Sequence, residues 1–301
     1  MIFAADHAVK YLGVGFAALL ILGVIFALRI AVMSYLGERS DFRRWPSAEI
    51  SKHPERTGIN SLHEVSFKGS DGLLLAGWAV PSRNRAAIVL VHGTNTDRSS
   101  VLDEARILSD AGFGILALDL PGQGASAGHT LWGVRERQSI SAAVDWLLSQ
   151  PDVDPERIGG LGVSMGGYIL TQAASTDARI RAVVLAAAPT DVTEQTRYAS
   201  NRWGLLSEIP AYWALLASGM PVHDLLPKDV IRHIAPRAVF ILGGTLDELV
   251  PEYMAQQLYR SAAEPKELWI VSGAHHTDFS RVVPEQYRDR LIDFFRRNLL
   301  N

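Results

Sequence analysis

The sequence predicts an α/β fold: a mostly parallel sheet covered on both faces by helices. Three observations point there. From about residue 86 onward, short apolar runs of strand length alternate with longer segments of helical periodicity. A hairpin pattern precedes them, and the 301 residues with 48% hydrophobic content can bury one sizeable core.

The elements follow in chain order. Tyr11 to Leu28 carries no charge, lies between Lys10 and Arg29, and is followed by further apolar residues from Ile30 to Leu36. About 18 such residues suffice to cross a bilayer as a helix, which satisfies its own backbone polar groups. A cleaved signal peptide is the competing reading. It fits less well, because Asp6 offsets Lys10, the apolar run is long, and no clear A-x-A site follows. A buried soluble helix would need protein on every side. Residues 1–36 are therefore expected to form an uncleaved single-pass membrane anchor. Arg29, Arg39, Arg43 and Arg44 outnumber Lys10, and the positive-inside bias then puts the main domain in the cytoplasm.

Residues 37–61 are polar, with two prolines and little periodicity, and read as a juxtamembrane linker whose Phe42 and Trp45 could lie at the lipid interface. The globular domain is expected over 62–301. Leu62–Lys68 and Leu73–Val80 flank Gly69-Ser70-Asp71-Gly72 and form a hairpin. Strands are expected at Ala86–Val91, Gly114–Leu118, Arg157–Val163, Ile180–Ala187, Ala238–Leu242 and Glu267–Val271. Helices are expected at Ser99–Ala111, Val134–Ser149, Met165–Ser175, Glu252–Ala262 and Pro284–Leu299. Between Thr190 and Pro236 no strand is expected. Apolar helical segments carrying Trp203, Leu206, Ile209, Tyr212 and Trp213 would form a lid over about 190–236, or else two surface helices packed on the core.

In such a fold, chemistry belongs at the C-terminal ends of the strands. Gly162-Val163-Ser164-Met165-Gly166 sits between an expected strand and helix, the context in which G-x-S-x-G makes a nucleophile elbow. A serine hydroxyl needs a base, and the base needs an orienting acid. After Ser164 the chain offers Asp247 behind one strand and His275-His276 behind another, in the order Ser…Asp…His. Asp191 competes for the acid role, and Glu248 adjoins Asp247. Either histidine could be the base on the residues alone. Oxyanion donors are expected from the backbone N–H of Met165 and of Thr94 (or Asn95), in the loop His92-Gly93-Thr94-Asn95. His92, Asp119 and Asp278 read as loop-holding residues.

A net charge of −3 gives no electrostatic footprint for nucleic acid, and the absence of cysteine excludes thiol catalysis and thiolate metal sites. No metal or organic cofactor is expected.

Taken together, the His92-Gly93 strand end, Asp119–Ser126, Gly162–Gly167, Asp247 with Val250-Pro251, and Gly273–Asp278 resemble the α/β-hydrolase fold serine hydrolases. The resemblance runs from about Leu62 to the end. Within that superfamily the chain is similar to membrane-anchored esterase-like members and to the group around dienelactone hydrolases and prolyl-type serine peptidases. Their G-x-x-H-x-D loop, laid on Gly273–Asp278, implies His276 as the base. The resemblance implies a Ser164–His276–Asp247 enzyme that cleaves carboxylic esters or thioesters through an acyl-enzyme. Its partner would be a small-molecule acyl ester with an apolar, in one version lipid-derived, chain. A serine peptidase or acyltransferase with the same triad is the alternative. A non-catalytic binding protein is a further one, which the retention of all three side chains disfavours.

Overall fold

A computed structural model describes the backbone of residues 2–40 and 44–301, with side chains at 16–37, 44–133 and 135–301. The expectations placed on Phe42 and Arg43, and on the side chains of Lys10 and Arg39, lie outside the described residues.

Helix α1 (Ile2–Ser40) opens the chain. Its 22 residues Phe16–Gly37 are long and apolar enough to cross a membrane, spanning about 33 Å at 1.5 Å per residue. After it come β1 (Trp45–Pro46), β2 (His63–Lys68), β3 (Leu74–Val80), β4 (Ala87–Val91), α2 (Leu102–Asp110), β5 (Gly114–Leu118), β6 (Gln123–Gly124), α3 (Val134–Leu148), β7 (Ile158–Val163) and α4 (Met165–Thr176). The second half holds β8 (Ile180–Ala186), α5 (Val192–Ser200), α6 (Leu205–Ala217), α7 (Pro227–Val230), β9 (Ala238–Gly244), α8 (Glu252–Ser261), β10 (Lys266–Val271), α9 (Phe279–Val282) and α10 (Pro284–Leu299).

Eight strands form one sheet in the order β10-β9-β8-β7-β4-β5-β3-β2, in which β3 alone runs against its neighbours. This is the α/β-hydrolase architecture. Every residue of β4, β5, β7 and β9 is buried, as strands covered on both faces must be. Alternate side chains feed two apolar layers. Val89 and Val91 join α3, α4 and α8 on one face, while Ile88 and Leu90 join α2 and α10 on the other. The crossovers carry the C-terminal ends of the parallel strands to one edge, where the loops following β4, β7, β9 and β10 meet.

Two features depart from the expected organisation. The segment expected as a linker is laid against the domain: β1 pairs with β6, and the Ala48 N–H donates to Asp97 Oδ2 at 2.6 Å. Arg98 explains part of this docking. Its buried guanidinium needs acceptors and takes the Ser51 carbonyl at 3.0 Å beside Asp119 at 3.0 Å. The second feature is that α1 does not stand apart from the domain. It packs along α6, with Phe26 edge-on to Trp203 at 5.4 Å between ring centroids and Ile30 buried.

Candidate active site

The elbow is built by steric necessity. Ser164 links β7 directly to α4 with φ 54° and ψ −120°, a conformation rarely tolerated outside glycine. The turn closes tightly enough that a Cβ on Gly162 would lie 2.5 Å from the Gly166 carbonyl oxygen, and one on Gly166 would overlap that of Val91. The Ser164 amide donates to Ala186 at 2.9 Å, and the Ser164 carbonyl accepts from Gly167 at 2.9 Å, so the strained residue is held at both ends.

Asp247 lies in the loop after β9 with its side chain completely covered. Its Oδ1 accepts the Leu249 and Val250 amides at 2.9 and 2.8 Å, which leaves Oδ2 to face His276 Nδ1 at 2.8 Å. His276, in the loop after β10, presents Nε2 to Ser164 Oγ at 2.9 Å. A carboxylate can only accept, so the neutral ring carries its proton on Nδ1 and turns an Nε2 lone pair to the serine hydroxyl. Three loops distant in sequence thus form one hydrogen-bonded chain, Asp247–His276–Ser164.

The competing residues are occupied elsewhere. Asp191 caps α5, accepting from Thr193 N at 2.8 Å, and pairs with Lys228 at 2.7 Å. Burial would raise its pKa, yet the hydrogen bonds from Lys228 and Thr193 outweigh this and lower it. Glu248 and His275 are exposed. Asp278 pairs with Arg281 at 3.2 Å, one turn along.

His92 and Asp119 hold the loops around the serine. Fully buried His92 donates from Nδ1 to the Gly93 carbonyl at 2.7 Å and accepts the Leu120 amide on Nε2 at 3.1 Å. Those bonds suit a neutral ring, and burial lowers its pKa accordingly. Asp119 accepts the Arg98 and Ala125 amides at 2.8 and 2.9 Å; burial raises its pKa despite the opposing charge of Arg98. Thr94 lies in the cavity wall beside Ser164, and the Met165 N–H is a first-turn amide without an intrahelical acceptor.

The triad opens on a cavity of about 520 Å³. Trp132, Val163, Pro189, Val192 and Leu249 give it apolar walls, and Gln195 and Thr277 add neutral polar groups. The sequence reading did not single out Trp132, Val192 or Gln195 as part of a site. The signal was there only in retrospect: each follows a strand end, in the loop before α3 or on α5. Among the described residues no group of three or more His, Asp or Glu could hold a metal ion.

Residues 67–234, more than half of the chain, match the family described as X-Pro dipeptidyl-peptidase (S15 family). The match includes Ser164 and stops short of Asp247 and His276. The polyketide transferase ATR5 of Stachybotrys chlorohalonatus is 33% identical, over 80% of this chain and 99% of its own. Among solved structures, the α/β hydrolase GrgF from Penicillium sp. sh18 superposes with a TM-score of 0.66 at 25% identity, covering 80% of this chain and 99% of GrgF. The Pyrococcus furiosus esterase Pf2001 gives a TM-score of 0.71 at 22% identity, over 86% and 98% of the two chains.

Proposed function

We propose that this chain, which belongs to the family described as X-Pro dipeptidyl-peptidase (S15 family), is a serine hydrolase that cleaves carboxylic esters or thioesters. Family membership and the likeness to GrgF and ATR5 support hydrolase- or acyltransferase-type activity. The observation that carries the finer reading is the continuous relay from Asp247 through His276 to Ser164, with both bonds under 3 Å.

In this mechanism His276 Nε2 takes the Ser164 proton as Oγ attacks the acyl carbon. Asp247 fixes the ring tautomer and offsets the imidazolium charge. The Thr94 and Met165 amides donate to the oxyanion, an interaction for which one donor is typically worth about 10²–10³ in rate. The carbon–heteroatom bond then breaks, and His276 returns the proton to the leaving alcohol or thiol. Water, deprotonated by the same ring, attacks the acyl-enzyme and releases the acid.

The cavity supports esters over X-Pro peptides. A dipeptidyl substrate presents a free ammonium, which in a partly enclosed site needs a carboxylate partner. Among the described residues of the cavity wall there is no Asp or Glu. We read α1 as the anchor of residues 1–36, with the catalytic domain over 62–301 on the cytoplasmic side and a lid over about 190–236, which contains α5 and α6. The small-molecule partner is an acyl ester with an apolar acyl group. Transfer to an alcohol acceptor is the second reading, favoured by the 33% identity to a polyketide transferase.

A fluorophosphonate probe tests the proposal. The wild-type chain should be labelled and Ser164→Ala should not; a folded wild-type protein that stays unlabelled would refute it. Adding a primary alcohol separates the two readings, since a transferase yields the new ester in place of the acid.

A further inference from the structure

Asp97 is a carboxylate with no solvent to face. It is fully buried, in the loop that carries Gly93 and Thr94 away from the end of β4. A charge so placed must be met by donors. Its Oδ1 takes the Ser99 amide and hydroxyl at 2.9 and 2.6 Å, within its own turn. Its Oδ2 takes the Ala48 N–H at 2.6 Å, from a segment 49 residues earlier in the chain. The loop's buried charge is thus satisfied from outside the loop, by the stretch that follows α1.

The same stretch braces the side of the site that holds Met165. Trp45 and Pro46 pair with Gln123 and Gly124, and the Trp45 amide donates to the Gly122 carbonyl at 2.9 Å. Buried Gln123 sets its Nε2 3.0 Å from Thr130 Oγ1 and 3.9 Å from Met165 Sδ. Asp119 joins the two sides, accepting the Arg98 amide at 2.8 Å and the Ala125 amide at 2.9 Å. The Arg98 guanidinium closes the circuit by donating to the Ser51 carbonyl at 3.0 Å. The loop inside this circuit has little slack, since a Cβ on Gly93 would lie 3.3 Å from that of Ser164.

We infer that residues 45–51 are a strap that sets the oxyanion hole, with Asp97 as the positioning residue through which the strap fixes Thr94. This rests on the hydrolase reading, in which the Thr94 amide is one of the two donors. The segment between the anchor and the domain then belongs to the catalytic apparatus and is more than a spacer. Asp97 stands three residues from Thr94, and a group misplaced by about 1 Å in an active site can cost about 10² in rate. The apolar walls bind the substrate whether or not the amide is in place. Loss of the strap therefore falls on kcat and spares KM.

Two variants of the full chain release the strap. Ala48→Pro removes the N–H that Asp97 accepts. Asp97→Asn keeps the side chain's size but must turn its NH₂ towards either the Ala48 or the Ser99 donors. Arg106→Ala is the control: it frees the Thr57 carbonyl, which Arg106 Nη2 reaches at 2.6 Å, and breaks none of the loop contacts. On p-nitrophenyl butyrate both strap variants should lose about tenfold or more in kcat with KM within about twofold, whereas Arg106→Ala should lower Tm and keep wild-type kcat. Fluorophosphonate labelling of Ser164 should slow in step with kcat, because the phosphoryl oxygen enters the same hole. A folded Ala48→Pro with wild-type kcat and labelling would overturn the role of the strap. So would an equal loss of kcat in Arg106→Ala, which would make the effect a general loosening, or a raised KM at unchanged kcat. If Ala48→Pro does not fold, Asp97→Asn decides by the same readouts. Wild type inert towards the ester would sink the hydrolase reading instead, and the labelling rates would still decide whether the strap sets the hole.

Discussion

Replacing Asp247 by Asn tests the relay at its least exposed point. The substitution keeps the size of the side chain and removes only its charge and one acceptor. Asp247 Oδ1 accepts two backbone N–H groups, at 2.9 and 2.8 Å, and an amide nitrogen there would face two donors. The Asn oxygen is therefore forced into that position, and its NH₂ turns to His276 Nδ1. A donor now meets Nδ1, so the ring must accept there and carry its proton on Nε2, toward Ser164. The general base is lost while the fold stands. In the serine-protease template this change costs about 10⁴ in kcat, or about 5.4 kcal/mol of barrier. Initial rates on p-nitrophenyl butyrate, with a melting curve to confirm folding, measure it. A folded variant that loses less than about tenfold would refute the argument that Asp247 sets the tautomer.

The remaining predictions are independent of one another. His276→Ala should lower kcat by about 10³ or more and His275→Ala by less than about threefold in the same assay, since the exposed His275 forms no bond to the serine. Gly166→Ala drives a methyl group into the Val91 carbonyl and should cost about 1–3 kcal/mol or more, read as a lower Tm with reduced activity. Glu104 accepts the Tyr287 hydroxyl at 2.7 Å in the core, and burial raises its pKa above the usual 4.5. The stability it contributes is fully present below about pH 4.5 and is lost as pH rises through the raised value, at about 1.4 kcal/mol per pKa unit. Glu104→Gln should therefore raise Tm at about pH 8 and lose that advantage near pH 4, in melts across the range. Deleting residues 1–36 should convert a protein that resists alkaline extraction from membranes into one that is extracted; continued resistance would count against α1 as the anchor.

The strand–helix alternation was legible because buried parallel strands leave apolar runs and the helices keep their own period; α10 falls on the expected Pro284–Leu299. Ser164 was legible from its flanking glycines, which steric crowding at the elbow demands. The choice of His276 over His275 was not legible from residue chemistry alone. Adjacent side chains in an irregular loop point in directions set by local backbone angles, and Thr277, at φ 64°, marks how sharply that loop turns. Asp191 was excluded only once its bond to Lys228, 37 residues away, was visible. The docking of residues 45–57 was hidden for a similar reason. It depends on Arg98 and Asp97, whose need for partners arises from burial that no local pattern announces. The partnership of α1 with α6 likewise requires knowing which face of each helix the sheet leaves free.

Covalent trapping tests the central claim most directly. Rapid acid quenching of wild type mixed with a p-nitrophenyl ester, followed by peptide mapping by mass spectrometry, should find the acyl mass on the peptide carrying Ser164 and should lose it in Ser164→Ala. Full turnover with no acyl adduct, or an adduct on any other side chain, would contradict the account.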